Sequence, residues 1–139
     1  AAECYFAQLK RIADEPRAQI VGHFDLLTKF DEKEHFFDET SLRYRAAALD
    51  AMDALVSAGK IFEVNTGAIS RGWRTTPYPS RWVLEQLKRR NAQVTISSDS
   101  HGVGTVDCAF DRAKALLEAC GFEEIRVFDG KTFAAQKIE

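Results

Sequence analysis

A chain of 139 residues, 45% hydrophobic and 29% charged, has the size and composition of one soluble globular domain. Its formal net charge of −2 gives no whole-chain attraction to nucleic acid or to an anionic membrane surface. No apolar run approaches the roughly 20 residues of a membrane span, and the three cysteines, at unremarkable spacings, describe no disulfide framework and suit a reducing cytoplasm.

In chain order, Cys4 to Ala13 places Phe6, Leu9 and Ile12 at helical intervals, with Pro16 just beyond. Ala18 to Val21 is a short apolar run with β-branched residues, a buried strand ending at Gly22-His23-Phe24-Asp25. Residues 26–40 mix charge and aromatics without a period, which predicts a long functional loop with one helical turn. Thr40 or Ser41 can cap a helix that runs to Ala58 and stops at Gly59. Lys60 to Val64 is the second strand, leading into Asn65-Thr66-Gly67 and a polar loop containing Arg71, Trp73 and Arg74. Ser80 can cap the next helix, whose Lys88-Arg89-Arg90 end suits the helix dipole rather than a nucleic-acid surface.

Gln93 to Ser97 is the third strand, followed by Ser98-Asp99-Ser100-His101. Asp107 can cap a helix through Cys120 that carries Cys108 and Cys120 as small core hydrophobes. Glu124 to Phe128 is a final strand before a turn at Asp129-Gly130 and a short tail. Alternation of helix and strand predicts an α/β fold with a parallel sheet.

The polar residues fall at one edge of that sheet. His23, then Glu63 and Asn65, then Asp99 and His101 lie at or just past the carboxyl ends of three successive strands, where α/β folds build their sites. Each alone has a bland explanation, whether a hydrogen-bonded histidine or a turn-capping aspartate; the joint placement favours a site. Two histidines and a carboxylate are enough protein ligands for a catalytic metal with open positions. Glu63, costly to bury unpaired, calls for a cationic partner. Arg71 and Arg74, in a glycine-containing loop, offer forked donors for an anion, and Lys29 can serve the same anion. His35, in a charged loop, reads as solvated or packing.

Gly22-His23-Phe24-Asp25-Leu26, Phe62-Glu63-Val64-Asn65-Thr66-Gly67 with Arg71-Gly72, Pro77-Tyr78-Pro79 and Ser97-Ser98-Asp99-Ser100-His101 occur in order over nearly the whole chain. Together they resemble the C-terminal half of a histidinol-phosphatase of the PHP (polymerase and histidinol phosphatase) family. The resemblance implies part of a distorted (β/α)7 TIM-like barrel, with residues 1–139 as the C-terminal portion of one PHP domain. It also implies divalent metal ions (zinc, iron or manganese) and hydrolysis of phosphate monoesters, here L-histidinol phosphate in histidine biosynthesis. By this resemblance His23, Asp99 and His101 are metal ligands, and Arg71 faces the substrate phosphate, with Lys29 a weaker candidate of the same kind. Glu63, Asn65 and Arg74 would support the pocket, and a metal-bound water rather than a protein nucleophile would attack phosphorus.

The resemblance lacks the family's early His-x-His and its further ligands, and the chain opens Ala-Ala-Glu without a methionine. The expectation is a fragment of a longer cytoplasmic enzyme, weakly active or inactive alone. Its open sheet would be buried against the missing N-terminal half or a second copy. The alternatives are a non-catalytic metal-binding α/β module, a folded fragment with neither activity nor metal, and a phosphoesterase acting on another small phosphorylated substrate.

Overall fold

The structure is a computed structural model that describes residues 1–139. Helix α1 (Ala2–Lys10) continues into a 3-10 turn, Arg11–Asp14, before strand β1 (Ile20–Val21). A 3-10 turn (Leu26–Thr28) and a one-turn helix α2 (Asp31–Glu34) follow. Helix α3 (Leu42–Ser57) leads to β2 (Ile61–Asn65), the short helix α4 (Gly67–Ser70) and α5 (Arg81–Arg89). Strand β3 (Gln93–Ser97) precedes α6 (Phe110–Ala119), β4 (Glu124–Phe128) and β5 (Phe133–Lys137). No helix is long and apolar enough to cross a membrane.

Strands β1, β2 and β3 form a parallel sheet in that order, with Val21 opposite Phe62 and Asn65 opposite Ser97. Side chains alternate along it as the pleat requires. Val21, Phe62, Val64 and Val94 enter a buried core with Met52, Leu55, Leu84, Leu87 and Leu117 from the helices. Phe6 of α1 packs against Phe24 and Tyr44 at 5.3 Å ring separations and joins the first helix to the strand-end loop. Burying each such aromatic contributes about 1.5–3 kcal/mol, so this layer outweighs any single polar contact in holding the sheet against its helices.

The opposite face is different. Ile20, Glu63, Thr95 and Ser97 line a groove of about 630 Å³ together with Phe110, Val127, Phe128 and Phe133. Exposed Ile20, Val127 and Phe128 mark it as an apolar face that is open in this chain.

Several expectations change. β4 does not join the parallel sheet; it pairs antiparallel with β5, Glu124 opposite Lys137, in a hairpin the sequence had left as a tail. The hairpin turn is local: Asp129 accepts the Lys131 and Thr132 N–H groups, and Gly130 adopts φ 97°. The three-stranded parallel sheet is mixed α/β architecture of the expected kind, but only three strands carry it. Ser41 caps α3 as predicted, accepting the Tyr44 N–H. Ser80 is the N-cap residue of α5, but its hydroxyl makes no capping bond; its own N–H donates to buried Asp25 Oδ2 at 2.7 Å. Asp107 likewise fails as a side-chain cap of α6; its backbone carbonyl takes the Phe110 N–H instead. Cys108 lies ahead of α6, half-buried, and all three cysteines are free.

Candidate functional site

The carboxyl edge of the sheet is assembled mainly by backbone polar groups. β2 ends at Asn65, whose N–H and C=O pair with Tyr78 at 2.8 and 2.9 Å, closing the 66–77 loop on itself. Asn65 Oδ1 accepts the Gly67 N–H at 2.9 Å, and its amide donates to Glu63 Oε2 at 3.1 Å. Thr66 N–H reaches across to Ser97 C=O at 2.9 Å, so the β2 and β3 exits are tied together.

Gly67 sits where a side chain has no room. A Cβ there would lie 2.8 Å from the Ser98 carbonyl oxygen, 2.8 Å from Arg71 Nη2 and 3.0 Å from Asp99 Cβ. The turn carrying Arg71 can therefore lie flat against the loop carrying Asp99.

The expected site residues meet at this edge. His23, Lys29, Asn65, Arg71, Asp99 and His101 line one cavity of about 350 Å³, with Leu26 and Tyr78 completing its wall. Two of the three proposed ligands have left-handed backbone, His23 at φ 26° and Asp99 at φ 46°, a conformation uncommon for non-glycine residues and frequent at functional sites. Glu63 Oε2 accepts the His23 N–H at 2.8 Å. Glu63 was expected to pair with a cation; its partners are instead this backbone N–H and the Asn65 amide, which are both donors and meet the carboxylate's need at lower desolvation cost.

Arg71 does not stand free in the cavity. Its Nη2 donates to Asp99 Oδ2 at 2.9 Å, and its Nη1 donates to Asp99 C=O at 3.0 Å and lies 2.9 Å from His101 Nδ1. Of a guanidinium's five N–H bonds, Nε–H and one on Nη2 have no partner, and the second on Nη1 is engaged only in the tautomer whose Nδ1 accepts it. His101 Nδ1 is also 2.8 Å from the Asp99 carbonyl. When Nδ1 carries the proton and donates it there, Nε2 presents a lone pair to the cavity.

Arg74 does not itself line the cavity. It is 8% exposed, and its Nη1 donates to Thr28 Oγ1 and Thr28 C=O at 2.6 and 3.0 Å. It also bonds Thr76, lies 3.7 Å from Glu32 and stacks 4.8 Å from the Tyr78 ring centroid. It fastens two loops and is not an anion donor. Its neighbour Tyr78 was not assigned from sequence, although the Pro77-Tyr78-Pro79 run drew notice. Burial pushes the Tyr78 hydroxyl up to about 12, so it is a neutral wall of the cavity. Leu26 was missed as well and carries no distinctive signal. His35 is exposed and outside the cavity.

The donor chemistry of two imidazoles and a carboxylate suits zinc, iron or manganese. These residues share a cavity, yet no three His, Cys, Asp or Glu side chains gather closely enough to hold a metal ion by themselves. They fit a partial ligand set, to which further donors would have to be added.

No family model matches the chain. It is 36% identical over 124 residues to the probable histidinol-phosphatase of Schizosaccharomyces pombe, a match covering 87% of this chain and 40% of that protein. It is 27% identical over 100 residues to the histidinol-phosphatase of Bacillus subtilis, covering 72% of this chain and 35% of that protein. The first match is long enough that it must include every residue from His23 to His101. The chain spans about two fifths of the length of these curated relatives. By this similarity the chain is histidinol-phosphatase-like.

Proposed function

We propose that this chain supplies part of the active site of a metal-dependent phosphomonoesterase acting on L-histidinol phosphate in histidine biosynthesis. One observation carries the reading: His23, Lys29, Arg71, Asp99 and His101, drawn from three strand exits, line a single cavity. The similarity to proteins named histidinol-phosphatase supports the choice of substrate.

His23, Asp99 and His101 are the residues that would hold divalent ions, zinc, iron or manganese, with further ligands from outside this chain. The chemistry such ions supply when bound is polarisation of a phosphoryl oxygen and acidification of a water. The chain's own cations do the rest. Arg71 turns its Nε–H and its unpaired Nη2 N–H to the phosphoryl oxygens while Asp99 fixes its plane. Lys29 adds a second positive charge at the same cavity, stabilising charge that spreads over the equatorial oxygens. Asn65 and Glu63 position the loop and the His23 backbone and do not touch the phosphate.

In this reading the chain is the C-terminal portion of a PHP-type barrel domain in a cytoplasmic enzyme. The open groove on the far face of the sheet is covered by the remainder of that domain or by a second copy. The shared length with the relatives and the exposed apolar groove support this.

Phosphate release from L-histidinol phosphate by this chain together with the remainder of the domain, measured with added zinc, iron or manganese alongside metal analysis by mass spectrometry, tests the proposal. His101→Ala should abolish turnover at saturating metal with the fold retained by circular dichroism. Retained turnover would remove His101 from the mechanism, and bound metal without turnover would leave a non-catalytic metal-binding module.

A further inference from the structure

Beside the cavity two aromatic side chains stand in water. Phe30 is 41% exposed and Trp73 40% exposed, and neither belongs to the core. They come from different loops yet pack edge to face, ring centroids 5.1 Å apart with an interplanar angle of 85°. The Lys29 ammonium lies over both, 5.3 Å from the Phe30 centroid and 5.6 Å from that of Trp73. Both distances are within cation–π range, and Lys29 is also a wall of the cavity that holds Arg71, Asp99 and His101.

The two loops are joined on every side of this group. Glu32 accepts the Thr75 N–H at 2.7 Å and the Thr76 hydroxyl at 3.1 Å. Lys33 Nζ donates to the Gly72 carbonyl at 3.2 Å, and Arg74 holds Thr28. Thr28, Glu32 and Lys33, which flank Lys29-Phe30, are thus bonded to Gly72, Arg74, Thr75 and Thr76, which flank Trp73. A flexible lysine loses rotamer entropy when it is ordered. Here the ordering is built into the loops before any ligand arrives.

We infer that Phe30 and Trp73 are positioning residues that hold the Lys29 ammonium at the cavity as a preset counter-charge for the phosphoryl group. This rests on the reading of the cavity as a phosphomonoester site and deepens it. The pair lies outside the core. A lysine so held binds the anion at a fixed place instead of sweeping a volume, and its contribution appears in substrate affinity more than in the chemical step.

Reductive 13C-methylation of the lysines gives each amine its own NMR signal. In the wild type the Lys29 signal, assigned by its loss in Lys29→Ala, should be displaced from the bulk lysines by the two ring currents. Trp73→Ala and Phe30→Ala should return it to the bulk position, and Trp73→Phe should restore part of the displacement. Inorganic phosphate should move the signal at lower concentration in the wild type than in Trp73→Ala, by about three- to tenfold. In turnover, Trp73→Ala should raise KM by a similar factor, with kcat within twofold. Lys29→Ala/Trp73→Ala should be no worse than Lys29→Ala alone. A wild-type Lys29 signal at the bulk position, or phosphate affinity unchanged by Trp73→Ala, overturns the inference. If phosphate moves the Lys29 signal in this way but the chain completed with the rest of the domain and divalent metal hydrolyses no phosphomonoester, the clamp stands and the hydrolytic reading falls. If hydrolysis requires His101 while Trp73→Ala changes neither KM nor the signal, the clamp alone falls.

Discussion

Gly67→Ala is the sharpest perturbation of the site's frame, because the added methyl group has nowhere to go. Two of its three clashes differ in kind from the third. Arg71 Nη2, 2.8 Å from the new Cβ, is the tip of a flexible side chain and can swing away at the cost of its bond to Asp99. The Ser98 carbonyl oxygen at 2.8 Å is backbone, and Asp99 Cβ at 3.0 Å belongs to a residue already at φ 46°, so neither can yield without moving the β3 exit. Overpacking of this kind costs roughly 1–3 kcal/mol, while replacing a helical glycine by alanine returns at most about 1 kcal/mol, less at the first position of a four-residue helix. The steric cost wins, and a net loss of about 1–2 kcal/mol is expected. For a chain of this size that is a fall in Tm of about 3–8 °C. Thermal unfolding by circular dichroism measures it. Gly67→Ala/Arg71→Ala discriminates the cause: removing Arg71 relieves only the soft clash, so the double variant should recover little of the loss. Full recovery, or a neutral Gly67→Ala, would refute the claim that the Ser98 carbonyl and Asp99 confine this position.

Three further outcomes follow from particular contacts. Glu32 has its carboxyl raised by burial but lowered more by the Thr75 N–H and the Thr76 hydroxyl, so the net shift is downward. A depressed folded-state value means stability present above the unfolded pKa and lost as pH falls through the folded one. Glu32→Gln should therefore lower Tm by on the order of 2 °C at pH 7 and by nothing measurable near pH 3, screened as the group is. Lys60, buried at the start of β2, donates to the Glu15 and Ala18 carbonyls at 2.6 and 2.7 Å. Lys60→Met keeps the stem but removes the charged donor from both carbonyls, leaving Glu15 C=O only the Ala18 N–H, and urea unfolding should show a loss of about 1–3 kcal/mol with an unchanged m-value. Arg74→Lys should behave as a destabilised protein with weakened phosphate affinity, since an ammonium cannot reproduce the forked contacts to Thr28 and Thr76 that align the two loops; an unchanged Tm would show that the fork is dispensable.

Much of this was legible in the sequence, for identifiable reasons. The α3, α5 and α6 stripes repeat at helical intervals, and Ser41 and Gly59 bound α3 by local chemistry that needs no tertiary information. The strand-end residues were legible because a parallel sheet delivers its polar termini to one edge, and His23, Asp99 and His101 do line one cavity. What failed depends on partners remote in the chain. Arg71 and Arg74 are alike in composition and three residues apart, yet one faces the cavity and the other is buried, decided by Thr28 and Glu32 some forty residues earlier. Ser80 had a cap residue's identity and place, but its hydroxyl makes no capping bond, and its N–H is tied to the deeply buried Asp25 from far earlier in the chain. The β5 strand, Phe-Ala-Ala-Gln-Lys, has neither β-branched residues nor a strict alternation, and its pairing follows from the turn and from β4 having no other neighbour in the ladder.

The two left-handed residues explain why the strand exits are so densely bonded. A non-glycine residue held at positive φ costs of order 1–3 kcal/mol and persists only where its surroundings over-determine it. At His23 the surroundings are the Glu63 carboxylate on the N–H and a 3-10 turn that takes the His23 carbonyl at 2.9 Å. At Asp99 they are Arg71, which grips both the carboxylate and the backbone carbonyl, and the Ser97 hydroxyl on the N–H. A hydrogen bond to a charged group contributes about 1.5–3 kcal/mol, enough to offset one such residue each. Glu63 and Arg71 are therefore committed to holding backbone before they meet any ligand. That commitment points the His23 and Asp99 side chains into one cavity, and it leaves Lys29 as the cation there whose ammonium is held by aromatic rings alone.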